Sequence, residues 1–281
     1  GKEYLNVLDF IGNYEKAGKA PLLLSGEQSF NKKGSCEYQD LEYPDDCIVD
    51  FDMRLIDLFK EIDKKKLTLK MQIRQEYYRV KELLDGKRPS RMDLFTYMDD
   101  EIYRICVSGS HAKENPFQHY LDFLYGLGEL SEDEQKLYAG IGREFIQTIE
   151  TTEMQKVYKM PILYSFYNHG NIRLAVTDEE VLESWKEFFD TGTNWKDFPN
   201  VNTYEDYKKV TDKQHLSKAK RMPIRYLKAS GKGFFVEKDG YALALRDEIG
   251  DVVGNIAFGE QMGDVLGYRS LEYYRRRYER E

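Results

Sequence analysis

Residues 76–98, EYYRVKELLDGKRPSRMDLFTYM, predict two helices joined by a tight turn. Before the turn, apolar side chains recur three or four residues apart, as on one face of a helix. They are Leu69, Ile73, Tyr77, Val80 and Leu84. The glycine and proline between Asp85 and Pro89 are typical of a break between helices. Ser90, followed three residues later by Asp93, predicts a capping box at the start of the next helix. We therefore expect a helix-turn-helix unit here.

Further helix starts and one hairpin are indicated downstream. Asp239-Gly240 lies between two apolar runs and predicts a β-hairpin turn. Helices followed by a hairpin are typical of a winged helix. Residues 269–280 predict a last helix rich in Tyr and Arg. The predicted helix starts are Asn115-Pro116, Ser131 with Glu134, and Thr177 with Glu180.

The beginning of the chain has a different pattern. Tyr4–Ile11 is an apolar run closed by Gly12-Asn13, and it predicts a buried strand whose sheet partners precede it. From about residue 50 the pattern becomes helical. The expected fold is thus α+β and predominantly helical, with helix-turn-helix and winged-helix-like units and short β-hairpins. Its expected parts are residues 1–47, a helical domain at 48–150 and a winged-helix-like α+β domain at 151–281.

Composition and motifs exclude several classes of function. The chain has 281 residues, a net charge of −8, and three cysteines too scattered for a zinc site. No apolar run approaches the roughly 18 residues of a membrane helix, so we expect a cytoplasmic protein without a membrane partner. Phosphate-loop, Asp-Glu-Ala-His, Gly-x-Ser-x-Gly and His-Glu-x-x-His motifs are absent. We therefore expect no catalysis and no cofactor in these residues themselves.

Positive charge is concentrated in two windows despite the acidic total. Residues 60–91 hold eleven Lys and Arg against five acids, and residues 208–232 hold nine against one. Such windows beside helix-turn-helix units predict phosphate contacts, although ordinary solvated helix faces are the alternative. Phe234, Phe235 and Tyr241 are candidates for base stacking or for core packing. The candidate nucleic-acid-binding residues are Lys218, Lys220, Arg221, Arg225, Lys228, Lys232, Arg74, Lys87, Arg88 and Arg91.

Several segments resemble the region that follows the motor in bacterial superfamily 2 DEAD/DEAH-box helicases of the type III restriction-like family. Residues 76–98, quoted above, resemble one segment of that region. The others are VLDFIGNYEKAGKAPLLLSGEQSFNK (7–32), YKMPILYSFYNHGNIRLAVTDEEVLESWKEFF (158–189), MPIRYLKASGKGFF (222–235) and YRSLEYYRRRY (268–278). The resemblance implies that the N-terminal strand is the end of a second RecA-like domain. It also implies that the RecA-like ATPase motor lies upstream in the same polypeptide.

The resemblance implies a function through that motor. The whole protein would be an ATP-dependent DNA or RNA helicase or translocase, with ATP and Mg²⁺ bound by the upstream domains. This chain would be an accessory region that is inactive alone and holds the nucleic acid while the motor moves it. Restriction or phage-defence proteins are implied partners. The alternative is a protein-interaction module that recruits a partner nuclease or methyltransferase through its Tyr-rich helices.

Overall fold

The computed structural model describes residues 68–278. The strand predicted at Tyr4–Ile11 and the part proposed for residues 1–47 lie outside the described residues. Residue contacts divide the chain into two units, Gly1–Gln72 and Ile73–Glu281. The second unit contains nearly all of the described residues and is the subject of the following description.

The described part of the chain is predominantly helical, with one small sheet. The helices are α1 (Leu69–Leu83), α2 (Arg91–Tyr97), α3 (Asp100–Val107), α4 (Tyr120–Leu127), α5 (Glu132–Ala139), α6 (Ile141–Thr151), α7 (Lys159–Tyr167), α8 (Asp178–Asp190), α9 (Tyr204–Lys208), α10 (Asp212–Ala219), α11 (Arg225–Ser230) and α12 (Ile256–Tyr278). A π-helical turn, Lys220–Ile224, joins α10 to α11. The strands are β1 (Ala175–Val176), β2 (Phe235–Val236) and β3 (Leu243–Leu245).

Several helices start at side-chain caps that local sequence predicts. A capping box satisfies backbone N–H groups that the first helical turn leaves without partners, and one such cap contributes about 1 kcal/mol. All three predicted boxes are confirmed, and a fourth begins α10. The boxes are Ser90 with Asp93, Ser131 with Glu134, Thr177 with Glu180, and Thr211 with Gln214.

The two helices predicted on either side of the Gly/Pro turn are present. In α1 the side chains of Ile73, Tyr77 and Val80 are buried, as their spacing predicts. The chain leaves this helix through Asp85 and Gly86, which have φ values of 54° and 80°. Glycine adopts this left-handed conformation without a steric cost, so the turn follows directly from the sequence.

The sheet has three short antiparallel strands in the order β1–β3–β2. The predicted hairpin is confirmed, because Phe235 pairs with Leu245 and the connecting turn contains Gly240 at a φ of 82°. β1 forms the other edge of the sheet, and its Ala175 pairs with Ala244 of β3. Phe234 and Phe235 are only 1% and 5% exposed. They are therefore core residues, and base stacking is excluded for both in this structure.

The C-terminal helix α12 is the longest described helix and is longer than the sequence predicts. It contacts α2, α5, α6 and α7, so it packs on elements from both sides of the domain boundary proposed at residue 150. Met262, Val265 and Leu266 are fully buried on it. Glycines in its first half disfavour a helix locally. Burial of the apolar face compensates for that low propensity.

Aromatic side chains fill much of the interior. Trp185, Phe145, Phe166, Phe189 and Phe258 are fully buried in one continuous core. Large rings of this kind account for a good part of the high aromatic content of the sequence. Within residues 68–278, no helix is long and apolar enough to cross a membrane.

Candidate nucleic-acid interface

Four basic side chains line one open cleft beside α9 and α10. They are Lys209, Lys213, Lys218 and Arg221, and the cleft has a volume of about 570 Å³. We call it the cationic cleft. Lys213 begins the row near the start of α10, and Arg221 ends it in the π-helical turn. Lys218 and Arg221 are three residues apart and therefore lie on one face of the helical segment, whereas Lys213, five residues before Lys218, lies farther around the helix.

Phe198, Pro199, Asn200 and Val201 also line the cationic cleft. Asp206 is the one carboxylate among the described residues that line the cleft, and its Oδ1 lies 3.4 Å from the Lys209 ammonium. Hydrogen bonding from Thr203 and then from Lys209 lowers the pKa of Asp206, so its negative charge is already matched. The cleft therefore has a net positive charge.

Lys218 is the most enclosed cation of the cleft. Its Nζ lies 5.0 Å from the centre of the Tyr158 ring, within the range of a cation–π contact. Burial lowers the pKa of Lys218, and the positive charges of Arg221 and Lys156 lower it further. Neighbouring cations repel one another, and an anion that binds between them relieves this repulsion.

The other candidate residues of the basic window at 208–232 do not line the cleft. Lys220 forms an ion pair with Asp178 at 2.6 Å, and Lys228 forms one with Glu237. Arg225 and Lys232 are exposed, and within the described residues no carboxylate forms an ion pair with either. The structure thus brings Lys218 and Arg221 into one cleft. The charges of Lys220 and Lys228 are partly matched by acids.

The candidates of the first basic window divide into exposed and internal residues. Arg74 and Lys87 are exposed. Arg88 donates from Nη2 to Oε1 of the buried Glu134 at 2.8 Å. Burial favours the neutral acid, but the hydrogen bond and charge of Arg88, together with hydrogen bonds from the Ser131 backbone and from Gln261, hold the pKa of Glu134 below its usual value. Arg88 therefore neutralises an internal carboxylate.

Arg91 is fully buried, which corrects the expectation that it contacts phosphate at the surface. Its Nε donates to Glu150 Oε1 at 3.0 Å, and its Nη1 donates to Asp264 Oδ2 at 2.8 Å and to Gln261 Oε1 at 2.7 Å. The guanidinium also lies over the Tyr120 ring at 4.5 Å. Although burial opposes the charge, Glu150 and Asp264 raise the pKa of Arg91. Its role is to join α2, α6 and α12.

Two cations of the cationic cleft are not among the candidates that the sequence indicates. Lys209 and Lys213 fall in the basic window at 208–232 without being candidate residues, and Lys156, whose charge acts on Lys218, lies outside that window and does not line the cleft. The three-residue spacing of Lys218 and Arg221 is a signal that places these two charges on one helix face. Nothing local indicates that residues 198–201 also line the cleft.

Comparisons with known proteins do not assign the chain to a family. No protein-family model, no curated protein and no solved structure matches it. Within residues 68–278, no cluster of His, Cys, Asp and Glu is arranged to hold a metal ion.

Proposed function

We propose that this chain binds the phosphate backbone of DNA or RNA through the cationic cleft. The observation that carries the proposal is the convergence of four cations on one cleft, where the one carboxylate among the described lining residues, Asp206, is paired with Lys209. Lys and Arg neutralise phosphates and release condensed counterions, which is the main source of sequence-independent affinity for nucleic acid.

The charge of the rest of the chain supports a localised contact. The net charge of the chain is −8, so the chain as a whole repels a polyanion. Binding would then concentrate where cations outnumber acids. Arg225 and Lys232 follow the cleft in sequence and are exposed, so both are candidates for further phosphates along the same backbone.

The wider functional context is also a proposal, and it rests on the resemblance in sequence. We propose an accessory region of a superfamily 2 helicase or translocase whose upstream RecA-like domains bind ATP and Mg²⁺. In this proposal α10, α11 and the β2–β3 hairpin act as a winged-helix-like unit. The unit would hold the strand that the motor domains move.

Fluorescence anisotropy of the 281-residue chain with labelled single- and double-stranded oligonucleotides tests the binding proposal. We expect saturable binding at about 50 mM salt that weakens steeply at about 200 mM, because phosphate contacts are strongest at low salt. The double variant Lys213→Gln/Arg221→Gln should bind about tenfold more weakly or worse. Absence of saturable binding at about 50 mM salt would contradict the proposal.

A matched control separates the cleft from general charge loss. Lys208→Gln/Lys220→Gln removes the same two charges from neighbouring positions that do not line the cleft. Each of these lysines is paired with an acid, Glu205 or Asp178. We expect the control to keep most of the affinity. If both double variants lose the same affinity, net charge rather than the cleft is responsible.

Recruitment of a partner nuclease or methyltransferase is the second candidate function. The observation that favours it is the exposure of Tyr125, Tyr226 and Tyr278, at 61%, 51% and 47%. Tyrosine is enriched in protein interfaces. This alternative predicts partner capture that Tyr125→Ser/Tyr226→Ser weakens and Lys213→Gln/Arg221→Gln leaves unchanged.

A further inference from the structure

A second cleft lies among α7, α8 and α12 and has a different character. Its volume is about 540 Å³, within the usual range of binding pockets for small organic groups. Aromatic side chains supplied by all three helices line it: Tyr164, Tyr167, Phe188 and Tyr274. Tyr164 lies 6.3 Å from Tyr167 and 6.1 Å from Phe188 between ring centres, so these rings form a nearly continuous apolar surface. We call it the aromatic cleft.

Three carboxylates of α8 line the same cleft. Glu180, Glu183 and Glu187 are three and four residues apart and therefore share one face of the helix. Arg173 Nε lies 3.1 Å from Glu180 and matches that charge. Glu183 is exposed and has no ion pair with any described residue. Among the described residues, the largely exposed His169 is the only basic group within 4 Å of the Glu187 carboxylate, with Nε2 to Oε2 at 3.5 Å.

The two clefts differ in charge and share no lining residue. Carboxylates next to the aromatic cleft repel phosphates and attract cations. Aromatic faces bind a guanidinium or ammonium group through cation–π contacts and bind its hydrocarbon stem through apolar burial. Like charges at Glu183 and Glu187 also disfavour each other at this spacing, and a bound cation relieves that cost.

We propose that the aromatic cleft binds an organic cation, a guanidinium or ammonium group carried on an apolar stem. The stem packs on the rings of Tyr164 and Tyr167, and the charged group pairs with Glu183 and Glu187. The cation has two possible sources, a free amine and the side chain of a basic peptide. This binding is independent of the proposed nucleic-acid contact, because it uses other residues and the opposite charge.

Ligand-observed NMR saturation transfer with the 281-residue chain tests the proposal. The probes are agmatine, the peptide acetyl-Gly-Arg-Gly-amide and the same peptide with citrulline, the neutral isostere of arginine. We expect the arginine peptide or agmatine to bind at least about fivefold more tightly than the citrulline peptide, since only they carry the charge. Stronger binding of agmatine identifies a free amine as the ligand, and stronger binding of the arginine peptide identifies a side chain.

Charge-neutralising variants of α8 provide the control. Glu183→Gln/Glu187→Gln should weaken binding of the cationic probe at least about fivefold. Glu179→Gln should leave it unchanged, because Glu179 is exposed on the same helix but does not line the cleft. Thermal melting confirms that each variant is folded. The proposal is overturned if the citrulline peptide binds equally well, if Glu179→Gln has the same effect as the double variant, or if no probe binds at millimolar concentration.

Discussion

The ammonium group of Lys218 lies 5.0 Å from the centre of the Tyr158 ring. Tyr158 is itself only 7% exposed, and its hydroxyl donates to the Asp197 carbonyl at 2.7 Å. A buried and hydrogen-bonded ring therefore positions one cation of the cationic cleft. Arg221 and Lys156 add positive charge that acts on the same ammonium group. This arrangement holds like charges close together, and an anion stabilises it.

Anion binding should raise the pKa of Lys218. Burial and the charges of Arg221 and Lys156 lower that pKa in the free protein, and a phosphate in the cleft offsets both effects. Titration of ¹³C-labelled lysine resonances with and without a short oligonucleotide measures the change. Lys136, which is exposed on α5 and paired with Asp133, is the control and should not shift. A Lys218 pKa unaffected by a saturating oligonucleotide would place the phosphate elsewhere.

Arg91→Met should destabilise the protein strongly. It removes the cation between Glu150 and Asp264 and leaves a buried carboxylate without its partner, at a cost of about 3–5 kcal/mol. Urea denaturation measures the free energy of unfolding. Lys87→Met is the control, because Lys87 is exposed, and its effect should stay within about 0.5 kcal/mol. A loss below about 1 kcal/mol for Arg91→Met argues against the buried ion pair.

Two glycines of α12 should respond oppositely to alanine. A Cβ at Gly263 would lie 2.5 Å from the Tyr167 hydroxyl oxygen, whereas at Gly267 the nearest atom would be Met92 Cγ at 3.8 Å. Gly263→Ala should therefore destabilise by about 1–3 kcal/mol because the Tyr167 ring must move. Gly267→Ala should stabilise by up to about 1 kcal/mol through helix propensity. Denaturation midpoints compare the two, and equal midpoints would disprove the close contact.

Stability should fall on acidification because of His215. Burial lowers the pKa of this imidazole, Lys186 lowers it further, and Asp212 and Asp190 only partly oppose them. The folded state therefore takes up a proton less readily than the unfolded chain, whose histidine pKa is about 6.5. The stabilisation is complete above that pH and is lost as the pH falls through the lower pKa of the folded state, by at most about 1.4 kcal/mol per pH unit.

Denaturation between pH 7.5 and 5 measures this dependence. His215→Gln should flatten the acidic decline, because the titrating group is gone. His111→Gln is the control, since the His111 side chain is 41% exposed, and it should retain the decline. An unchanged decline in His215→Gln would assign it to other groups, such as carboxylates.

Features set by neighbouring residues were predictable from the sequence, and features set by distant contacts were not. The box of Ser90 and Asp93 is local, and its pattern alone predicts where α2 begins. Arg91 follows immediately, yet its partners Glu150 and Asp264 are 59 and 173 residues away. Periodicity gives no information on such pairing, so a buried structural arginine has the same local pattern as a phosphate-binding one.

The same distinction applies to the cationic cleft. The three-residue spacing of Lys218 and Arg221 places them on one face of a helical segment, which local geometry explains. Residues 198–201, which also line the cleft, and the ring of Tyr158 come from other parts of the chain. The sequence therefore indicates the charges, but tertiary packing decides which of them face a common space.

The salt dependence of nucleic-acid affinity tests the cationic cleft most directly. The slope of the logarithm of the association constant against the logarithm of salt concentration reports the phosphates that the protein neutralises, about 0.9 per contact on duplex DNA. For Lys213→Gln/Arg221→Gln we predict a slope shallower than that of the unmodified chain by about 1.8. Lys208→Gln/Lys220→Gln should leave the slope nearly unchanged. Equal slopes for the unmodified chain and Lys213→Gln/Arg221→Gln would contradict the account.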